Sequence, residues 1–421
     1  MKGIPHLLVA VLCLTSLTAS AQPFVGEEVL SDPLQPRNDT IDVAAPAGAM
    51  AKDRDGLVIA WTMANARGIH AVHVARLDAG GRVIAPVVEI PPVVVGKEVD
   101  AYAPSIAVSP AGTGFTLAWL EIFKVPAGFP GSVVYCQLDA DLKPSSPRAL
   151  AIVGSTNITA PAVVRSGQRT WISGANGVWE MRAGGSTGPM LKTGGPVSDM
   201  AATSDYPQVI SGQSIQTGWI CTGDPTCSGG FPGIGYCYEA CRIYRYVYEL
   251  RFVSLFTGQA TRTMTFQSDS RPALESDGRD VLVVWMDGDQ QAGGTVSAVR
   301  LSATSFAHVE HDLLQGGQDI GTFGPDVIST RPDIATDGER FVVVWSTKTP
   351  AGDHDILGAV IDRQGHSTGF TIATSVADER DPSILMTAPG NFQIAYGKLS
   401  NGERRLATRT LKFNTRRRAA R

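Results

Sequence analysis

Apolar positions in this chain gather into short unbroken runs that each close on an aromatic residue, with polar turns between them. Gly56-Leu57-Val58-Ile59-Ala60-Trp61, Val281-Leu282-Val283-Val284-Trp285 and Phe341-Val342-Val343-Val344-Trp345 are the clearest. The closing aromatic recurs at Trp61, Trp119, Trp171, Trp219, Trp285 and Trp345, and in degenerate form at Tyr396. A period of roughly 50–60 residues marks an array whose units cannot bury their own hydrophobic faces. Runs of five or six residues bounded by glycine and charge are too short for core helices. Unbroken apolarity instead predicts strands buried on both faces.

Each unit predicts four strands. The first begins near a proline (Pro46, Pro104, Pro161, Pro207, Pro272, Pro332 or Pro382), a residue tolerated where a strand starts or runs along an edge. An Asp-Gly turn follows at Asp55-Gly56, Asp277-Gly278 and Asp337-Gly338, supplying positive φ at low cost. The aromatic-tipped run is the second strand, and Ile356-Leu357-Gly358-Ala359-Val360-Ile361 is typical of the third. The fourth, such as Gly369-Phe370-Thr371-Ile372-Ala373, is more polar. That gradient from buried to wet predicts an all-β fold, a β-propeller of four-stranded blades, seven by the aromatic count, with six or eight also open.

The ends of the chain bear on closure. The last unit runs out after its third strand, Leu406-Ala407-Thr408-Arg409-Thr410-Leu411-Lys412-Phe413, while Phe24-Val25-Gly26-Glu27-Glu28-Val29-Leu30 reads as an orphan fourth strand. Pairing them would remove an exposed sheet edge. The expected organisation is a leader at residues 1–21, one propeller domain at 22–414 and a basic tail at 415–421.

The leader has Lys2, an apolar stretch over residues 7–17 and the small-residue pattern Ala19-Ser20-Ala21, which reads as a secretory signal and predicts an exported, secreted or periplasmic protein. The stretch is too short for a membrane span. Export makes the cysteines legible. Cys221, Cys227, Cys237 and Cys241 lack the spacing of zinc knuckles and predict two local disulfides, with three pairings open. Cys136 is expected to act as a small buried residue. A net charge of −4 gives no reason to expect nucleic acid as a partner.

Pro-x-Ile-Ala-x-Asp-Gly-x-x-Phe-x-Val-Val-Trp followed by Asp-Ile-x-Gly-Ala-x-Ile-Asp resembles repeats of secreted bacterial β-propeller proteins, many without assigned function. Residues 331–362 carry the resemblance best, 271–301 nearly as well, and 157–265 depart from it. It implies a fold and an exported setting and transfers no catalytic residue.

Function is sought in the loops. In a four-stranded meander the two hairpin turns lie at one end, and the second-to-third and blade-to-blade connections at the other. The turn end reads as minimal. The loop end carries residues 120–131, 221–241, 286–294, 346–355 and 91–102, and long loops on a rigid scaffold are the usual place for recognition. Phe123, Phe129, Phe231, Tyr236, Tyr238, Tyr244 and Tyr246 could form a binding platform there, or pack the loops themselves. Asp287 and Asp353 are further ligand-binding candidates. The Asp287-Gly288-Asp289 and Asp353-His354-Asp355 segments could bind calcium, yet no complete calcium-loop series exists and no cofactor is expected. His70 and His73 should face opposite ways along a strand. No nucleophile elbow or phosphate loop is present. The reading is a binding or interaction module, expected to be monomeric, taking a protein or glycan on its loop end. The alternative is a carbohydrate-active hydrolase or lyase with acidic residues at the channel mouth.

Overall fold

The computed structural model describes residues 23–31, 49–54, 56–64, 69–84, 86–93, 99–123, 131–153, 160–174, 177–193, 197–202, 208–220, 243–253, 260–267, 272–289, 293–302, 318–323 and 331–413. Their regular structure is entirely β. Six consecutive four-stranded antiparallel sheets occupy residues 49–90, 99–153, 163–192, 197–267, 273–323 and 333–373. Each is a meander in chain order.

The leading strands Ala49–Lys52, Val99–Val108, Val163–Ser166, Val197–Ala201, Ala273–Ser276, Asp333–Thr336 and Asp378–Ala388 touch one another in that order, and the last returns to the first. Meanders arranged around a closed circle of leading strands form a β-propeller. The aromatic count led to seven blades, with six or eight also open; the structure has six four-stranded blades. The remaining sheet, over residues 378–412, is a composite of three C-terminal strands and two short N-terminal ones.

That composite closes the ring. Phe24 lies opposite Lys412 and Val25 opposite Leu411, then Val29 opposite Thr408 and Leu30 opposite Ala407. Between the two short pairings Glu28 is held by side chains: the Tyr396 hydroxyl donates to it, and Lys398 Nζ lies at 2.7 Å. Arg409 donates to the Gly26 carbonyl at 3.1 Å and Arg405 to that of Ser31 at 3.0 Å. The N-terminal segment thus covers an edge whose backbone would otherwise stand open.

The unbroken runs have the physical basis their pattern implied. Along Leu57–Ala64, Val58 and Ala60 pack with Ile106, Leu117 and Trp119 of the following blade. Leu57, Ile59 and Trp61 pack the other way, against Ala395 and Leu406 of the composite sheet. Alternate residues therefore serve two interfaces. Trp61, Trp119, Trp171, Trp285, Trp345 and Tyr396 are all buried.

Turn chemistry follows the Asp-Gly reading. Asp277 Oδ1 accepts from the backbone N–H of Arg279 and Asp280 at 2.9 and 2.7 Å, and Gly278 takes φ 86°. Asp337 repeats this with Glu339 and Arg340, both at 3.0 Å. The carboxylate satisfies turn amides that the strand ladder cannot reach.

Candidate functional site

At the loop-bearing end, two leading strands are built higher than the others. In most blades the leading strand starts just after its proline, as at Ala273 and Asp333. Val99–Val108 and Asp378–Ala388 instead begin several residues before Pro104 and Pro382. The pairing survives by skipping two residues: it breaks between Tyr102 and Ser105, and between Arg380 and Ser383. The skipped residues are Ala103-Pro104 and Asp381-Pro382. Ala103 takes φ 48° and Asp381 φ 53°, a left-handed conformation that costs energy for any residue with a Cβ and is further disfavoured before proline.

Above each break the same histidine–aspartate contact joins neighbouring sheets. His354 opens the third strand of the 333–373 blade, and its backbone N–H donates to Asp378 Oδ1 at 3.1 Å while its Nδ1 lies 2.7 Å from that oxygen. His70 opens the third strand of the 49–90 blade, with its N–H donating to Asp100 Oδ1 at 2.9 Å and its Nδ1 at 3.4 Å. Tyr102 lies tilted against His70, ring centroids 5.0 Å apart. Arg380 Nε donates to Asp378 Oδ2 at 2.8 Å. Burial alone would raise the Asp378 carboxyl, but His354 and Arg380 more than offset it and hold it at about 2.

Asp381 behaves in the opposite way. Its backbone N–H donates to Ser346 Oγ at 3.0 Å, and its carboxylate has no hydrogen-bond partner among the described residues. It is 8% exposed. Burial, helped by the charge of Asp378 and opposed by Arg380 and Arg404, pushes it up to about 7. Two carboxyls on one strand end are therefore shifted in opposite directions.

Deeper in the ring, side chains of one leading strand serve the backbone of the next. Ser105 Oγ accepts from Val163 N, Asp199 Oδ2 from Leu274 N and Asp333 Oδ2 from Ile384 N, each at 2.8 Å. A leading strand pairs on one side only, so these acceptors satisfy amides on its open side. Glu275 lies among the acids of this layer. Burial, then Asp199, Asp333 and Asp277, push it up to about 8. Burial also raises Asp199, with Arg331 Nη1 at 3.9 Å opposing the shift.

The sequence candidates distribute unevenly. Phe123 ends strand Phe115–Phe123 opposite Val99, and Asp287 sits in Asp280–Asp289 opposite Thr295. Both stand in strands that run further beyond their tryptophan than expected. Tyr244 and Tyr246, read as loop aromatics, belong to strand Ile243–Val253, with Tyr244 opposite Trp219. Asp353 takes the Thr349 hydroxyl and closes a small turn. Its neighbour Asp355 is raised by burial and by Glu379 and Asp353. Phe129, Phe231, Tyr236, Tyr238, Cys221, Cys227, Cys237 and Cys241 lie outside the described residues. Among the described residues no group of three or more His, Cys, Asp or Glu is placed to hold a metal ion.

His70 and His73 do diverge. His73 stacks on Trp61 at 6.0 Å between ring centroids while His70 meets Asp100. The histidine–aspartate contacts themselves escaped sequence reading. Their one signal was a shared offset, a histidine nine positions after the blade tryptophan at both Trp61 and Trp345.

The turn end is less plain than its Asp-Gly turns implied. An open groove of about 510 Å³ lies between the 99–153 and 163–192 blades, with Tyr135, Gln137, Lys143, Arg148, Arg182 and Gly185 in its walls.

No protein-family model matches the chain, and no curated protein matches it. Among solved structures, the chain is similar to a protein of unknown function from Dyadobacter fermentans, with 10% identity, TM-score 0.47 and coverage of 94% of this chain and 100% of that one. It is similar to the β-propeller domain of the Trilobed protease from Pyrococcus furiosus at 11% identity, TM-score 0.43, covering 87% and 94%. An α-L-arabinofuranosidase from Podospora anserina follows at 10% identity, TM-score 0.37, covering 92% and 98%.

Proposed function

We propose that this chain is an exported β-propeller that recognises a protein or glycan through the loop-bearing end of its ring. The observation that carries the reading is the raised rim. Two leading strands are carried past their prolines at the cost of strained left-handed residues, and each extension is braced by a histidine from the preceding blade. Strain of this kind concentrates where a surface has a task beyond folding. In this reading residues 1–21 are a leader lost on export, and the seventh position of the ring is filled by the composite sheet. The mature chain acts as a monomer without a cofactor, and disulfides within residues 221–241 stiffen one recognition loop.

A second reading, hydrolase or lyase, is favoured by one observation. Asp378 near 2 and Asp381 near 7 are two neighbouring carboxyls driven apart in protonation, the condition under which one can act as acid and the other stay ionised.

The test is a screen of immobilised glycans and secreted proteins with the mature chain and with a variant whose residues 221–241 are replaced by a short linker. The recognition reading expects hits that the variant loses. A variant that keeps every hit contradicts it, and turnover of a bound glycan would favour the enzyme.

A further inference from the structure

The two raised strands provide an internal control. Both skip two residues, and both place a left-handed residue before a proline, yet one uses Ala103 and the other Asp381. The bulge therefore forms without a carboxylate. Aspartate tolerates the left-handed region somewhat better than alanine. Enclosing most of a carboxyl that no protein group hydrogen-bonds works against folding, even with its oxygens still touched by solvent. A fold needing only the backbone shape would lose by having Asp381 in place of alanine.

What surrounds Asp381 is an unfinished set of donors and acceptors. Arg380 commits its Nε to Asp378, and no partner among the described residues engages its two terminal nitrogens; its side chain is 25% exposed. The next residue, Asp381, feels the charge of Arg380 and carries a carboxylate with no hydrogen-bond partner among the described residues. Ser346, whose oxygen takes the Asp381 N–H, follows directly after the tryptophan that ends its apolar run, so the group lies at the loop-bearing end.

We propose that Asp381 and Arg380 contact the ligand at this rim, and that the ligand is a neutral, hydroxyl-rich carbohydrate. The inference rests on the loop-end reading above and specifies it. A hydroxyl both donates and accepts, so two neighbouring sugar hydroxyls satisfy the guanidinium and the carboxyl together. An anionic ligand would meet Asp378 and Asp381, and a cationic one Arg380 and Arg404. A neutral polar ligand meets neither repulsion and supplies the donor that Asp381 lacks.

The experiment uses the mature full chain in two measurements. Esterification with a diazo compound, located by peptide mass mapping, reports whether the Asp381 carboxyl is reachable in the native protein. An array of neutral and acidic oligosaccharides is then probed with wild type, Asp381→Asn and Asp381→Ala. Asparagine keeps the shape and the left-handed tolerance, so a purely structural role leaves its binding unchanged. The expected result is native labelling of Asp381, its protection by a bound neutral oligosaccharide, and a roughly tenfold or greater loss of affinity in both variants. Protection is read on wild type alone, so it stands if a variant misfolds.

Failure of Asp381 to label overturns the inference, as does binding by Asp381→Asn within about twofold of wild type. Binding of acidic oligosaccharides alone overturns the ligand class. A chain that binds no oligosaccharide but captures proteins through residues 221–241 overturns this inference and leaves the loop-end reading standing.

Discussion

His354 Nδ1 lies 2.7 Å from Asp378 Oδ1, tying the third strand of one blade to the leading strand of the next sheet. With Arg380 on its other oxygen, Asp378 is held at about 2, below its ordinary 3.8. A carboxyl lowered on folding adds stability that is present above its unfolded value and is lost as pH falls through the folded one. Asp378→Asn is therefore expected to cost roughly 2 kcal/mol at pH 7 and much less near pH 2. Urea unfolding at the two pH values checks this, and an equal loss at both would refute the assignment.

Asp381 carries the reverse sign. Its carboxyl rises to about 7 from 3.8, so the stability it gives is full below pH 4 and fades as pH climbs through 7. Asp381→Asn removes that penalty. The variant should match wild type at pH 4 and exceed it at pH 8 by at least about 1 kcal/mol. Thermal melts across that range decide the matter.

Closure of the ring makes a separate prediction. Glu28 is the N-terminal residue most firmly held, and burial, which alone would raise it, is outweighed by Lys398 and Tyr396, so its carboxyl lies below the ordinary 4.5. Its stabilisation is present above that value and is lost as pH falls. Glu28→Gln should lower the melting temperature at pH 7, and deletion of residues 22–31 should lower it further and broaden the transition. Calorimetry of the truncated chain showing an unchanged, equally sharp transition would remove the closing role.

On the turn end, Arg300 and Asp280 form a buried pair, with Nε and Nη2 at 2.9 and 2.5 Å from Asp280 Oδ2. Arg300 also reaches the Arg363 carbonyl of the next blade at 2.7 Å. Arg300→Met strands a buried carboxylate and should cost about 3–5 kcal/mol. Adding Asp280→Leu should restore much of that loss, because removing both charges ends the desolvation penalty. A double variant no better than the single one would show that the bridge to Arg363 dominates.

Cys136 lies opposite Leu117, is buried, and has its thiol pushed up to about 12 by burial. A thiol that stays protonated and enclosed is inert. Native protein should leave Cys136 unmodified by iodoacetamide, and unfolded protein should label it fully, as peptide mapping would show. Rapid native labelling would mean that the 99–153 blade opens locally.

Much of the ring was legible in the sequence because burial on both faces writes itself as an unbroken apolar run. Trp61 and Trp345 could be read as core from their neighbours alone. The pairing of residues 24–30 with the last strand, expected over 406–413 and found at 407–408 and 411–412, was legible because each end lacked what the other supplied. The raised rim was not. Proline marks a strand start in most blades, and nothing local distinguishes Pro382, inside a bulge, from Pro332, just ahead of its strand. The His354–Asp378 contact spans 24 residues and two sheets, and His70–Asp100 spans 30. Periodicity within one strand does not carry such information.

The most direct test of the account is where a ligand docks. Hydrogen exchange is measured on the mature chain with and without a hit from the glycan and protein screen. Protection is predicted at residues 99–104, 354–355 and 378–382 on the loop-bearing rim, with none in the groove walls around Lys143, Arg148 and Arg182. Protection confined to that groove, with the rim unchanged, would contradict it.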